Sequence, residues 1–367
     1  MAEKLLLLKH IILAFLVCSS FLQIVNNSPI RNVKPTKGKN HQAVINPNIM
    51  VRTHENPWIE HWEIKKKRAI SSWSYTDPEA WQHSFPTCGS NLQSPINIET
   101  ASLRAYPKFY FGNYGNIDRM TVTNNGHTVL FSLPSSIPAE SIPFITGGGL
   151  SNRYNFVQFH FHWGNDSSHG SEHRIKSKKY SAELHLVHYN TKYGSFSEAT
   201  KYDDGLAVLG VLIKVGKKIN SAFRAVVDQL NEVDEDGDET TLVNLISFKD
   251  LLPSRTTTFF RYSGSFTTPG CEEIIIWTVF DDSITISESQ LSKFRLLKGR
   301  DSLTLVNNYR PVQSLSGRTV TYRSRSGCHI TINWSHSSSP IVDIYQYSTC
   351  VFSFYANSFL TILGVNL

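Results

Sequence analysis

The chain has 367 residues, 40% of them hydrophobic and 12% aromatic, which is enough to bury one sizeable core. Its formal charge is +6, but residues 1–68 hold 11 Lys and Arg against 4 acids and the remainder 25 against 26, so the basicity belongs to the N-terminal segment alone. No face of interleaved basic and aromatic residues follows it, which excludes a nucleic-acid partner for the body of the chain.

In chain order, residues 1–23 open with a short charged start and the apolar runs Leu5–Leu8 and Ile11–Val17. They read as a secretory signal peptide, interrupted by Lys9 and His10 and short for a membrane span. Residues 24–70 are polar, rich in Asn and Lys, and carry the run Lys65-Lys66-Lys67-Arg68. Two readings stand side by side: a solvated basic linker, or a propeptide removed after Arg68. Trp73, Tyr75 and Trp81 mark a change of character. Asn124-Asn125-Gly126-His127 then reads as a hairpin turn, with Gly126 supplying positive φ.

Gln158 to Trp163 and Glu183 to His188 alternate with period two, the mark of strands with two different faces. Gln158, His160 and His162 share one face, opposite Phe159, Phe161 and Trp163. Glu183, His185 and Val187 share another, opposite Leu184, Leu186 and His188. The apolar run Gly205–Val211 suits a buried central strand. Ile219, Phe223, Val226, Val227 and Leu230 recur at helical spacing and predict an amphipathic helix over about 217–231. Residues 232–239 hold six acids in eight without the pattern of an EF-hand, and read as a solvated loop. Ser287 and Gln290 form a capping box that starts another short helix, with Leu291 and Phe294 inward. The tail 326–367 passes from Ser335–Ser339 to the mostly apolar Val351–Leu367, a candidate glycosylphosphatidylinositol signal or an extracellular extension. Asn26, Asn165 and Asn333 head Asn-x-Ser sequons, of which Asn165 is the expected acceptor.

If the two alternating strands are neighbours, three imidazoles converge from a rigid sheet. His160, His162 and His185 would give a tetrahedral zinc three ligands and leave one position open, the layout of a catalytic site. His188 points the other way and is excluded. The patterns of other zinc enzymes fit worse: Gly164-Asn165 follows where a His-x-His-x-Asp-His motif needs its acid, and His-Glu-x-x-His is absent.

Gln158 to Gly164, with Gly170-Ser171-Glu172-His173, Glu183 to His188 and the run Gln93-Ser94-Pro95-Ile96-Asn97-Ile98, resembles the α-class carbonic anhydrases over roughly Trp73 to Arg323. The resemblance implies a single domain at 71–325, mainly β with short helices, built on a large, twisted, mostly antiparallel sheet with a deep conical zinc cavity. It implies reversible hydration of CO2 to bicarbonate, with zinc as the cofactor and a small molecule as the only required partner. Gln158 and Glu183 match the residues that orient the zinc ligands. Thr267 would bond the zinc's fourth ligand and donate to Glu172, with Thr268 a secondary contact. Gly270 stands where a second proline commonly follows the Thr-Thr-Pro run. Val187, Val208, Phe266, Ile275 and Trp277 match the apolar substrate wall, and Phe196 the cavity rim. His127, also at the rim, matches the proton shuttle, with Asn125 and Tyr75 ordering water beside it. Cys88 and Cys271 match a disulfide of secreted members, and Cys328 and Cys350 are left to pair with each other. Together these imply a secreted chain, or a cell-surface one if the tail is exchanged for a lipid anchor. The alternative is an acatalytic, carbonic-anhydrase-related extracellular binding domain. Such domains lose a ligand or the Thr–Glu pair, and here all of them are present.

Overall fold

A computed structural model describes residues 73–324 apart from 243 and 301, together with the backbone of two paired strands, His329–Asn333 and Ile341–Tyr345. The readings of residues 1–23 and 24–70, of the lipid-anchor signal, of a Cys328–Cys350 pair and of the sequons at Asn26 and Asn333 lie outside the described side chains.

A sheet of 13 strands organises the molecule. In chain order these are β1 Ser102–Leu103, β2 Phe109–Gly112, β3 Met120–Asn124, β4 Val129–Ser132, β5 Phe144–Gly147, β6 Tyr154–Trp163, β7 Ala182–Asn190, β8 Leu206–Gly216, β9 Glu239–Leu242, β10 Phe259–Gly264, β11 Ile275–Phe280, β12 Ile284–Ser287 and β13 Thr321–Arg323. Across the sheet the order is β9-β3-β4-β6-β7-β8-β11-β10-β13-β1, with β12 beside β8, β5 beside β6, and β2 beside β5. Pairing is antiparallel except where β8 meets β11 and β12, and where β13 meets β1. The helices are short: α1 Trp81–Ser84, α2 Phe196–Ala199, α3 Arg224–Asp228 and α4 Glu288–Phe294. The mainly β fold class expected from the sequence is the one observed.

The period-two faces hold. Phe159, Phe161, Trp163, Leu184 and Leu186 are buried on one side of β6 and β7, in the larger apolar core. The strand at 206 is buried over Leu206–Ile213, as its continuous apolar run requires. Asn124 ends β3, Val129 begins β4, and Gly126 takes φ 75° in the turn between them. Ser287 and Gln290 make both bonds of the capping box on α4, with Leu291 and Phe294 buried beneath it.

The long helix predicted over 217–231 is not formed. Phe223, Val226, Val227 and Leu230 are buried, but α3 has five residues between two 3-10 turns, and Ile219 is exposed. Gln290 of α4 grips both backbone groups of Asn220, and the Asn220 side chain caps the turn that follows. The helical segment therefore begins at Asn220 and cannot extend back through Ile219. Phe196 is also misplaced by the sequence reading: it is fully buried within the second apolar cluster and not at a rim.

Cys88 and Cys271 form the disulfide, with S–S 2.01 Å and a sequence separation of 183. Closing so long a loop stabilises the fold by on the order of 3–5 kcal/mol in the chain-entropy account. At the centre of the larger core, Phe159 has no exposed surface and stacks on Phe131 at 4.6 Å between ring centroids. Phe159→Ala is expected to lower unfolding free energy by about 3–5 kcal/mol, read as a shift of the urea midpoint with little change of slope.

Candidate metal centre

The register of β6 against β7 sets His185 opposite His160 and Glu183 opposite His162. Directly opposed residues of an antiparallel pair share a face, so the three imidazoles and both residues expected to orient them meet on one side of the sheet. His162 and His185 are almost wholly buried and His160 is partly exposed, at the open side of the cluster. One ring nitrogen from each histidine lies within 4.8 Å of the others.

Each outer nitrogen has a defined partner. His160 Nδ1 donates to Gln158 Oε1 at 2.8 Å, as expected. His185 Nε2 donates to Glu183 Oε1 at 2.9 Å, also as expected. His162 Nδ1 donates to the Asn308 main-chain carbonyl at 2.7 Å, a partner the sequence reading missed, because a backbone carbonyl carries no signal in residue type. With each proton held outward, three lone pairs point inward. His162 Nε2 and His185 Nδ1 face each other at 3.2 Å, two acceptors with no hydrogen between them. Tetrahedral zinc, with Zn–N bonds of about 2.0–2.1 Å, sets its nitrogens about 3.3 Å apart. The residues present fit zinc.

Protonation agrees with that role. Burial pushes His162 down to about 4, and pushes His160 well below and His185 below the ordinary imidazole value. All three are neutral at physiological pH, as metal ligation requires. Burial works against the Glu183 carboxylate, yet His173 and His185 hold it well below the usual range. Its Oε2 also accepts the His173 N–H at 2.8 Å. From there a buried chain runs through His173 Nδ1 to Glu183 at 2.7 Å, His173 Nε2 to Tyr262 Oη at 2.6 Å, and Tyr262 to Ser94 Oγ at 2.9 Å. His173 stood inside the matched run, but sequence reading gave it no task; Tyr262 and Ser94 carried no signal of their own.

Glu172 Oε1 accepts the Arg310 main-chain N–H at 2.8 Å, while Oε2 has no hydrogen-bond partner among the described residues and lies 3.6 Å from His162 Nε2. Because His162 is neutral, this contact is no ion pair. Burial raises the Glu172 carboxyl to about 7, and Thr267 beside it acts in the opposite sense. Thr267 is buried and lies within hydrogen-bonding reach of the Glu172 carboxyl. Val187, Val208, Ile275 and Trp277 are buried in one apolar cluster, with Phe266 packed against it and Thr268 half-buried in the neighbouring loop. Val187 pairs with Val208, and Val208 with Trp277, across three adjacent strands. The Trp277 ring stands 4.8 Å from that of His185.

His127 departs from its expected exposure. It is 8% exposed, stacked beneath Trp73 at 3.7 Å with Tyr75 edge-on, and its Nε2 has no hydrogen-bond partner among the described residues. Burial and then Arg300 push it down to about 4. Asn125 uses its carbonyl oxygen to cap the His127 and Thr128 N–H groups, so its first task is to shape the turn. Tyr75 is partly buried, and its phenol is pushed well above the usual value by desolvation and by Glu172. Asn165 lies exposed in the loop after β6. A groove of about 680 Å³ lined by Phe111, Asn220, Leu245 and Leu252 contains none of these site residues.

His188 is a control built into β7. It lies on the far face, donates from Nδ1 to the Ala207 carbonyl at 3.3 Å and meets Tyr114 Oη at 2.5 Å.

A family model described as eukaryotic-type carbonic anhydrase matches residues 76–324. Among curated proteins, carbonic anhydrase 3 of Sus scrofa is 36% identical over 257 residues, covering 68% of this chain and 96% of the relative. Carbonic anhydrase 15 of Mus musculus is 37% identical over 257 residues, covering 66% of this chain and 79% of the relative. Carbonic anhydrase 3 of Bos taurus is 37% identical over the same length, with 68% and 96% covered.

Two measurements follow. Glu183→Gln removes the charge that fixes the His185 tautomer, and zinc affinity by chelator competition is expected to fall about 10–100-fold. Burial pushes His188 down to about 3, against about 6.5 in the unfolded chain. Unfolded chains therefore take up this proton first as pH falls. The stability tied to it is complete above about 6.5 and is lost toward 3, at up to ~1.4 kcal/mol per pH unit. The urea midpoint should fall through that window while the His188 ring resonance stays unshifted until unfolding.

Proposed function

The chain belongs to the eukaryotic-type carbonic anhydrase family, and on that premise we propose that it is an active enzyme hydrating CO2 at a zinc ion held by His160, His162 and His185. The observation that carries the reading is the pair of ring nitrogens 3.2 Å apart, a spacing that a shared zinc ion accounts for. Bound zinc supplies Lewis acidity that makes water acidic near neutral pH, the effect for which carbonic anhydrases are the type case.

The residues around it divide the remaining work. Gln158, Glu183 and the Asn308 carbonyl hold the three rings in one tautomer each, so that the ligand set is assembled before metal arrives. Thr267 accepts a hydrogen bond from the attacking oxygen and gives its own proton toward Glu172, whose otherwise unpartnered Oε2 accepts it. That relay directs a lone pair at the substrate carbon. The Thr267 main-chain N–H receives an oxygen of the product, and Thr268 makes a secondary contact. Val187, Val208, Phe266, Ile275 and Trp277 form the apolar wall against which CO2, a small neutral molecule, displaces poorly held water.

The proton leaves through His127. Beneath Trp73 its depressed pKa makes it a poor acceptor, and a swing outward returns it toward about 6.5, the range in which imidazole exchanges protons with buffer. Tyr75 and Asn125 order the intervening water. The Cys88–Cys271 bridge supports passage through an oxidising compartment, in keeping with residues 1–23 as a signal peptide, a processed or linking segment to residue 70, a catalytic domain over 71–325 and a tail from 326 that is either an extracellular extension or exchanged for a lipid anchor. Among the described residues no helix is long and apolar enough to cross a membrane.

Stopped-flow CO2 hydration on purified protein of known zinc content, beside His185→Ala, tests the reading. Wild type should hydrate CO2 rapidly, and the variant should lose zinc and more than about 100-fold of the activity. Zinc-loaded wild type without hydration activity would refute it.

A further inference from the structure

Gly270 and Glu272, which the reaction just described does not use, form a pair. The loop carrying Thr267 and Thr268 is closed at its base where the Phe266 N–H donates to the Glu272 carbonyl, at 3.1 Å. It turns where the Cys271 N–H donates to the Thr268 carbonyl, at 3.0 Å. Gly270 sits inside this turn at φ 104°, a conformation open to glycine without strain. A Cβ at Gly270 would stand 2.6 Å from Glu272 Oε2 and 2.8 Å from Oε1. The missing side chain is thus what lets the Glu272 carboxylate fold back over the turn, and the departure from Thr-Thr-Pro-Pro gains a physical reason.

The Glu272 Oε2 is occluded and has no hydrogen-bond partner among the described residues. The neighbouring Glu273, by contrast, accepts from the Leu92 N–H at 2.6 Å and the Gln93 amide at 2.8 Å. An occluded carboxylate oxygen without a donor costs stability, and such groups call for a functional account.

We propose that Glu272 is a specificity residue that sets a fixed negative charge beside Thr268, loosening the hold of the centre on anions, bicarbonate included, without touching neutral CO2. The ends of a four-residue turn lie within about 7 Å of each other. The Glu272 carboxylate, folded over Gly270, is therefore within one Debye length, about 8 Å at physiological ionic strength, of a ligand at Thr268. Coulomb repulsion acts on an anion there and not on an uncharged molecule. The product is thereby favoured to leave while the substrate enters freely.

The inference rests on the reading of the site as a zinc carbonic anhydrase centre, so wild-type hydration is measured in the same preparations as a separate check of that reading. In the full chain, Glu272→Gln removes the charge at constant shape, and Glu272→Leu removes the polar group as well. Thiocyanate is titrated into the cobalt(II)-substituted proteins and followed by the visible spectrum, and KM is measured for bicarbonate and for CO2 on the zinc-loaded proteins. Both variants should bind thiocyanate about three- to tenfold more tightly, with a matching fall in KM for bicarbonate and a change under about twofold for CO2. The gap should narrow as ionic strength rises. Thiocyanate affinity and bicarbonate KM within about twofold of wild type in both folded variants would overturn the inference.

Discussion

Two imidazole nitrogens facing each other across 3.2 Å are a constraint the rest of the molecule has to meet. Their protons must be held on the far sides of the rings, in one case by the Glu183 carboxylate and in the other by the Asn308 carbonyl. A carboxylate as deeply buried as Glu183 would ordinarily be neutralised. It stays charged because three donors converge on it: the His185 ring, the His173 ring and the His173 main chain. His173 in turn leans on Tyr262, and Tyr262 on Ser94. The polar chain behind the three histidines is thus longer than the histidine cluster itself, and each link is there to keep the one before it in a single state.

The sheet makes this arrangement affordable in geometry. Ligands on adjacent, directly registered strands are spaced by the strand separation and cannot drift independently. On the reverse face, Phe159, Phe161, Trp163, Leu184 and Leu186 bury the apolar surface that holds the strands together. Polar chemistry on one side is supported by packing on the other, and neither strand could slip by one residue without exchanging the two.

That coupling is why so much of the centre was legible in the sequence. Period two alone separated His160, His162 and His185 from His188, and it put Gln158 and Glu183 on the correct side. What escaped was set by contacts with no residue-type signature or by tertiary packing. The Asn308 carbonyl could come from any residue. The helix expected to reach back to residue 217 was cut short because Gln290, seventy residues on, claims the backbone of Asn220. Phe196 and His127 were expected at a rim and are buried, since local pattern does not reveal what a distant segment lays over a side chain, as Trp73 does over His127. The fold class followed from the resemblance; the strand order across the sheet was not read from the sequence.

The acid at the centre has a similar distant support. Arg310 donates its main-chain N–H to Glu172, and its guanidinium, 2% exposed for the residue as a whole, donates to the carbonyls of Cys88 and Ser94 and to the side chain of Gln93. No carboxylate pairs with that guanidinium among the described residues, so main-chain carbonyls and the face of Trp81, 5.5 Å away, carry its charge. Burial lowers its pKa to about 10, which leaves it protonated throughout the physiological range. The same residue therefore fastens the segment bearing Cys88 and orients Glu172. Since Cys88 is bonded to Cys271 at the end of the Thr267–Thr268 loop, the covalent bridge and the buried arginine hold the two halves of the Thr267–Glu172 pair from opposite ends. A carboxylate with one oxygen left for a neighbouring hydroxyl keeps its direction only while both anchors hold, which places part of the centre's geometry in a segment that touches no ligand.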